Sequence, residues 1–191
     1  GWVTILITSV VIVICYWISG HYRKVQKAAG KLEEVLTSIP SGSSFNNDPV
    51  DPKEMTAIVL VSGYSGFGIH VWLSIVRKFP KLYKNFIFVS VAEIDSGSFK
   101  GIAEVEALKT SLANGLNKYV SLVRSFGFSA DYRMDVGTDV VDTATQLCKS
   151  LAQEFPRSMV FTGKLIFRYD RVFQRFLHNE TAFAIQRHLQ W

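Results

Sequence analysis

The stretch TAIVLVSGYSGFG, residues 56–68, decides the fold class of this chain. Its first seven residues form a short, mostly apolar run rich in β-branched side chains, which is typical of a strand buried on both faces. A glycine-rich turn follows, and the next apolar segment predicts a helix over residues 69–79 that ends at Pro80. This order predicts a buried strand, a tight turn and a helix, which is the repeating unit of a parallel α/β sheet.

The same unit recurs along the rest of the chain. Further strands are predicted over residues 86–92, 130–136 and 159–163, and each precedes a segment with helical periodicity. The third strand alternates between apolar and charged residues, as a half-exposed strand at a sheet edge does. Right-handed crossovers then predict a doubly wound, Rossmann-like parallel sheet with strand order 3-2-1-4 and a final helix over residues 171–191. Because such a sheet normally adds a fifth strand, we expect the chain to be truncated before it.

The N-terminal segment departs from the α/β pattern. Residues Trp2–Gly20 contain no Asp, Glu, Lys or Arg, and a helix of that length spans about 29 Å, close to the roughly 30 Å core of a bilayer. We predict a transmembrane helix over residues 1–20, a basic juxtamembrane helix over residues 21–39, a linker over residues 40–55 and a cytoplasmic α/β domain over residues 56–191. Because the apolar run begins at once and without a Met, we expect a longer protein whose earlier membrane helices are missing here.

Four basic residues follow the apolar run before the first acidic residue, and they are Arg23, Lys24, Lys27 and Lys31. The positive-inside rule places the chain after them in the cytoplasm, at the inner cell membrane, where they can also contact anionic lipid headgroups. The whole chain has 21 Lys and Arg against 16 Asp and Glu, a formal charge of +5. Since four of the basic residues belong to this cluster, the rest of the chain is nearly neutral, and we expect no nucleic-acid partner.

The glycine-rich turn is the first candidate for a ligand site. Gly63, Ser65, Gly66 and Gly68 lie where a phosphate group would meet the N-terminus of a helix. Their GxxGxG spacing differs from the dinucleotide pattern GxGxxG and from a Walker motif. The glycines can therefore also serve only the tight turn between the strand and the helix.

The turn after the fourth strand meets the same edge of the predicted sheet, where the strand order reverses. Gly163, Lys164 and Arg168 are the candidate ligand-binding residues there. Asp95, after the second strand, lies where a dinucleotide-binding domain places the acid that binds a ribose. With the glycine pattern different, Asp95 and its neighbour Glu93 are also typical of solvated loop acids.

The sequence predicts neither catalysis nor a metal site. Ser65 lies on a strand-to-helix turn, but the nucleophile elbow GxSxG would need a glycine where Phe67 stands. Cys15 and Cys148 form no disulfide framework and have no zinc-ligand spacing. We therefore expect no enzymatic activity and no bound metal.

Several runs of the sequence resemble a known family. The chain resembles the C-terminal region of bacterial APC-superfamily permeases, the amino acid–polyamine–organocation transporters, in its order of membrane helix, basic flank, linker and domain. The similar runs of sequence are VSGYSGFGIH, FVSVAEIDSGSFKG, YRMDVGTDVVD and FLHNETAFAIQRHLQW. The resemblance implies an integral membrane transporter in which this domain serves regulation or dimerisation. It implies no substrate-binding residue, because the transport core lies outside this chain.

The α/β domain also resembles the universal stress protein fold, many members of which bind ATP through Gly-x2-Gly-x9-Gly-Ser/Thr after the fourth strand. Here Gly163 ends the predicted strand and no glycine follows it, so the ATP motif is absent and we expect no cofactor, although a nucleotide is one ligand class that the fold allows. The alternative to a transporter is a single-pass, membrane-anchored nucleotide- or ligand-binding module. The expected partners are the lipid bilayer, upstream transmembrane helices and a second copy of the cytoplasmic domain.

Overall fold

The structure is a computed structural model that describes residues 1–36, 45–94, 102–163 and 181–190. The chain divides into two units, one built on a long N-terminal helix and the other on a parallel sheet.

The N-terminal helix α1 runs without a break from Trp2 to Leu36. Its segment Trp2–Gly20 has a mean hydropathy of 2.2, and none of that segment is buried inside the protein. This part of α1 is therefore long and apolar enough to cross a membrane, as predicted. The basic residues Arg23, Lys24, Lys27 and Lys31 lie on the same continuous helix.

Four parallel strands form the sheet, in the order β3-β2-β1-β4 that the sequence predicts. The strands are β1 (Thr56–Leu60), β2 (Asn85–Glu93), β3 (Ser129–Gly137) and β4 (Ser158–Thr162). The helices that follow them are α2 (Gly66–Lys78), α3 (Ile102–Ser125), α4 (Val140–Glu154) and α5 (Thr181–Leu189). The described part of the chain therefore confirms a doubly wound α/β fold, because the chain steps from β1 to β3 in one direction and returns to place β4 on the other side of β1.

Two predicted helix boundaries differ from the structure. Helix α2 begins at Gly66, three residues before the predicted start. The prediction missed this first turn because two of its residues are glycines, which have low helix propensity. The final helix was predicted over residues 171–191, whereas α5 covers Thr181–Leu189 and the segment 164–180 lies outside the described residues.

One face of the sheet carries an aromatic layer with α2 and α3. The Trp72 side chain is 1% exposed and meets the rings of Phe86, Phe126 and Phe128 edge-on, at 5.2–6.3 Å between centroids. Gly127, whose φ is +86°, follows the end of α3 and lies between Phe126 and Phe128 in the chain. Edge-to-face ring contacts of this kind add to the stability that the buried area itself provides.

The other face of the sheet carries an aliphatic layer with α4. Its buried cluster consists of Ile58, Ile87, Val89, Cys148, Leu151 and Phe155. Asp139 caps the N-terminus of α4, since its Oδ1 accepts hydrogen bonds from the amides of Val141 and Asp142 at 2.8 and 3.0 Å.

The two outer strands of the sheet differ in charge. The side chains of Asp131, Arg133 and Asp135 lie on β3, and all but one residue of this strand is at least partly exposed, as predicted for an edge. Arg133 forms ion pairs with Asp131 at 2.5 Å and with Glu154 of α4 at 3.2 Å. Strand β4 has no charged residue, and among the described strands it pairs only with β1.

The segment 45–55, predicted as part of the linker, has no helix or strand and is bound to the sheet domain. The backbone N–H of Asn46 donates to the carbonyl of Arg124 at 2.9 Å, and the Asn85 side-chain amide donates to the carbonyl of Asp51 at 2.6 Å. Val50 packs against the aliphatic layer. The ordered domain therefore begins before β1.

Candidate functional site

The glycine-rich turn after β1 is held by a tyrosine from α3. The Tyr119 hydroxyl donates a hydrogen bond to the Gly63 carbonyl at 2.9 Å. Gly63 has a φ of +129°, a backbone conformation that L side chains rarely adopt. A glycine at this position and a hydrogen bond from α3 together fix the course of the turn.

Gly68 is required by its close approach to the same tyrosine. A Cβ atom on Gly68 would lie 2.0 Å from the Tyr119 hydroxyl oxygen and 2.8 Å from Cζ. The tyrosine ring cannot move aside freely, because it is fully buried and stacks on Phe88 with 4.7 Å between centroids and 12° between planes. Packing and turn geometry therefore account for Gly63 and Gly68 without a bound phosphate.

Two further side chains lie beside this turn that the sequence did not single out for function. The Tyr64 ring, 37% exposed, lies 4.9 Å from the Tyr119 ring, and the Lys118 ammonium lies 5.4 Å from the Tyr64 ring centroid. Gly115 admits the Tyr64 backbone, whose nitrogen would be 3.4 Å from an added Cβ. Helical periodicity indicates only that Tyr119 faces inward, and its neighbour Lys118 has no local sequence signal.

The candidate residues of the strand ends lie at one edge of the sheet. Leu60 at the end of β1 is the register partner of Thr162 at the end of β4, so the turns that contain Gly63 and Gly163 leave adjacent parallel strands. Glu93 ends β2 and is exposed.

The other predicted ligand residues have different places in the structure. Ser65 directly precedes α2, whereas Gly66 and Gly68 belong to its first turn. Lys164, Arg168 and Asp95 lie outside the described residues, so the predicted crevice and ribose-binding acid stay predictions.

A cavity of about 690 Å³ lies on the aliphatic face of the sheet, on the side opposite Tyr119. It extends beside β4 from Ser158 to Thr162 and so reaches the last residues of β1 and β4 at one of its ends. Its lining comes from Leu60, Cys148, Lys149, Ala152, Gln153, Ser158, Val160, Phe161, Thr162, Ile185, Gln186, Leu189 and Gln190. The volume falls within the roughly 300–1,000 Å³ that is usual for small-molecule sites.

Charge and reactivity in this cavity are set by two neighbours on α4. Burial raises the pKa of the Cys148 thiol to about 11, so at neutral pH this side chain is a protonated, apolar wall. Lys149 is exposed and has no hydrogen bond or ion pair within the described part of the protein. The cavity thus combines apolar side chains with uncharged polar ones and with a cation that has no partner among the described residues.

The sequence did not predict this cavity. Its lining residues come from β1, β4, α4 and α5, and no sequence motif joins these four elements. Among the described residues, no group of three or more His, Cys, Asp or Glu side chains is placed to hold a metal ion. Comparison with protein-family models, with curated proteins and with solved structures found no match to this chain.

Proposed function

We propose that this chain is the membrane-anchored regulatory part of an integral membrane protein, in which α1 is the anchor and the α/β domain binds a small ligand. The observation that carries the proposal is the apolar surface of Trp2–Gly20, none of which is buried inside the protein. This segment holds ten Val, Ile and Leu residues, and insertion scales give each about −0.3 to −0.6 kcal/mol at the centre of a membrane helix. The sum, about 3–6 kcal/mol, favours insertion of α1 into a bilayer.

The orientation of the anchor follows from the charges next to it. Arg23, Lys24, Lys27 and Lys31 are the basic residues that directly follow the apolar segment on α1. Basic residues stay on the cytoplasmic side when a helix inserts. We infer that the α/β domain lies in the cytoplasm, close to the anionic inner leaflet.

The cavity supports a ligand-binding role for the domain. It runs along the aliphatic face beside β4, from Ser158 at the start of the strand to Thr162 at its carboxyl end, and both apolar and polar side chains line it. A ligand bound there would contact both α4 and α5. Such a domain can report the level of its ligand to the membrane part of the protein.

The more specific form of the proposal is a permease of the APC superfamily, with this chain as its last membrane helix and a cytoplasmic regulatory or dimerisation domain of the universal stress protein type. Its support is the sequence resemblance in VSGYSGFGIH and the other runs. The alternative is a single-pass anchored binding module. The open reading frame upstream of residue 1 distinguishes them: about ten further apolar spans support a permease, and an immediate start codon excludes it.

Membrane extraction of the full chain tests the anchor directly. We expect the wild-type chain to stay in the membrane fraction after alkaline carbonate treatment. Val11→Arg places a charge at the middle of the segment, costs about 2.5–3.5 kcal/mol and shifts the chain toward the soluble fraction. Gly20→Arg is the matched control, because a charge at the helix end reaches the interface and is tolerated. Equal extraction of wild type and Val11→Arg would show that α1 is not embedded.

A further inference from the structure

We propose that the cavity between α4, β4 and α5 binds a single-chain amphiphile, with its apolar chain against the sheet and an anionic head group at Lys149. This inference rests on the proposed function, because it names the ligand class of the proposed membrane-anchored domain. It concerns the face of the sheet opposite the glycine-rich turn.

The apolar part of the cavity fits a hydrocarbon chain. Leu60 and Val160 of the sheet, and Ile185 and Leu189 of α5, form this wall. Three of these residues also pack against the aliphatic cluster, so the floor of the cavity adjoins the buried core, while Lys149, Ala152 and the glutamines at its rim are exposed. A flexible chain that enters this space exchanges water for apolar contacts along its length.

The polar part of the cavity selects the sign of the head group. Lys149 is the only charged residue of the described lining, and no acidic side chain stands beside it there. Gln153, Gln186 and Gln190 add amide groups that can donate hydrogen bonds. The nearby Glu154 is already paired with Arg133. An anionic head group is therefore attracted, whereas a cationic one meets a like charge and no carboxylate in the described lining.

A single cation beside an apolar wall favours an amphiphile over a nucleotide. A nucleotide carries several phosphate charges and needs many donors around them. The cavity offers one lysine, amides and an apolar surface instead. A membrane-anchored domain also lies where single-chain amphiphiles are concentrated, because they partition into the bilayer to which α1 holds it.

Photolabelling of the full chain in nanodiscs tests this inference. The probe is a long-chain fatty acid with a diazirine on its chain, and the matched probe is the alcohol of the same chain. After illumination, mass spectrometry locates the label on peptides of α1, β4 and α5. We expect the carboxylate to label α1 and the wall that contains Val160 and Leu189, with unlabelled dodecanoate competing at that wall, and the alcohol to label α1 alone.

Two variants test the roles of the head group and the chain. Lys149→Gln should require about tenfold more carboxylate probe for half-maximal labelling of the wall, because a charge-assisted hydrogen bond contributes about 1.5 kcal/mol. Lys118→Gln removes a cation from the other face of the sheet and should have no effect. Ala152→Phe fills the exposed mouth of the cavity and should abolish wall labelling, while near-ultraviolet circular dichroism reports an intact fold.

The outcomes separate the two proposals. Labelling of α1 without labelling of the wall would overturn the amphiphile site and leave the membrane anchor standing. Absence of label from α1 would overturn the anchor. Equal labelling of the wall by carboxylate and alcohol, or an unchanged response in Lys149→Gln, would overturn the assignment of an anionic head group. Cross-links between two copies through the same wall would show that a second chain occupies it instead.

Discussion

Gly68→Ala should destabilise the α/β domain, although an alanine normally favours a helix. The added Cβ atom would lie 2.0 Å from the Tyr119 hydroxyl oxygen, 2.8 Å from its Cζ and 3.1 Å from Cγ1 of Val61. Tyr119 is held from the opposite side by its stack on Phe88, so the ring must shift and its hydrogen bond to Gly63 lengthens.

The size of the effect can be worked out from these contacts. Overpacking in a well-packed region costs about 1–3 kcal/mol, and loss of the Tyr119 hydrogen bond adds about 1 kcal/mol. Replacement of a glycine by alanine within a helix by itself raises the free energy of unfolding by about 0.5–1 kcal/mol. We therefore expect Gly68→Ala to lower the free energy of unfolding by about 1–3 kcal/mol.

Urea unfolding of the full chain, followed by tryptophan fluorescence, measures this loss. The matched control is Gly115→Ala on α3, where the nearest atom would be 3.4 Å from the new Cβ and stability should be unchanged or slightly higher. The double variant Gly68→Ala/Tyr119→Phe removes the closest contact and should show a favourable coupling of about 1 kcal/mol. An unchanged or raised stability in Gly68→Ala would refute the account of why a glycine stands there.

Three smaller predictions concern the aliphatic face and the β3 edge. Asp139→Ala should lower the free energy of unfolding by about 1 kcal/mol in urea, because two amides of α4 lose their acceptor, and Asp139→Asn should restore most of it. Burial raises the folded-state pKa of Cys148 from 9.0 to about 11, so the stability it contributes is complete below pH 9 and is lost as the pH rises to about 11. The urea midpoint of the wild type should therefore fall more steeply over that range than the midpoint of Cys148→Ala, and parallel curves would contradict the shift. Arg133→Ala should cost less than about 1 kcal/mol despite two ion pairs, because the side chains involved are between 35 and 45% exposed, and a larger loss in urea would show that the pairs are poorly screened.

The fold could be predicted because its signals are local. Each buried strand is a short β-branched run, as in TAIVLVS, and the alternation of β3 marks it as an edge before any contact is known. With the handedness of the crossovers, those two signals determine the order of the four strands. The signal for an N-terminal helix long and apolar enough to cross a membrane is equally local, since uninterrupted apolar sequence is sufficient to predict it.

The environment of the candidate sites could not be predicted in the same way. A glycine is needed at position 68 because the hydroxyl of Tyr119, fifty-one positions later in the chain, leaves no room for a Cβ atom. The spacing of the glycines alone does not show whether they make room for such a side chain or for a bound phosphate. The cavity likewise joins Leu60, Lys149 and Leu189, which no sequence motif connects. Such sites depend on tertiary distances, whereas periodicity reports only which side of an element faces inward.

The side of the membrane on which the α/β domain lies tests the central proposal most directly. Asn47 is exposed on the segment bound to this domain, and Asn47→Cys in the Cys15→Ser background provides one reactive thiol, because Cys148 is buried and protonated at neutral pH. A membrane-impermeant maleimide should label this variant in inverted membrane vesicles and not in intact cells. Labelling in intact cells would place the domain outside the cytoplasm and contradict the account.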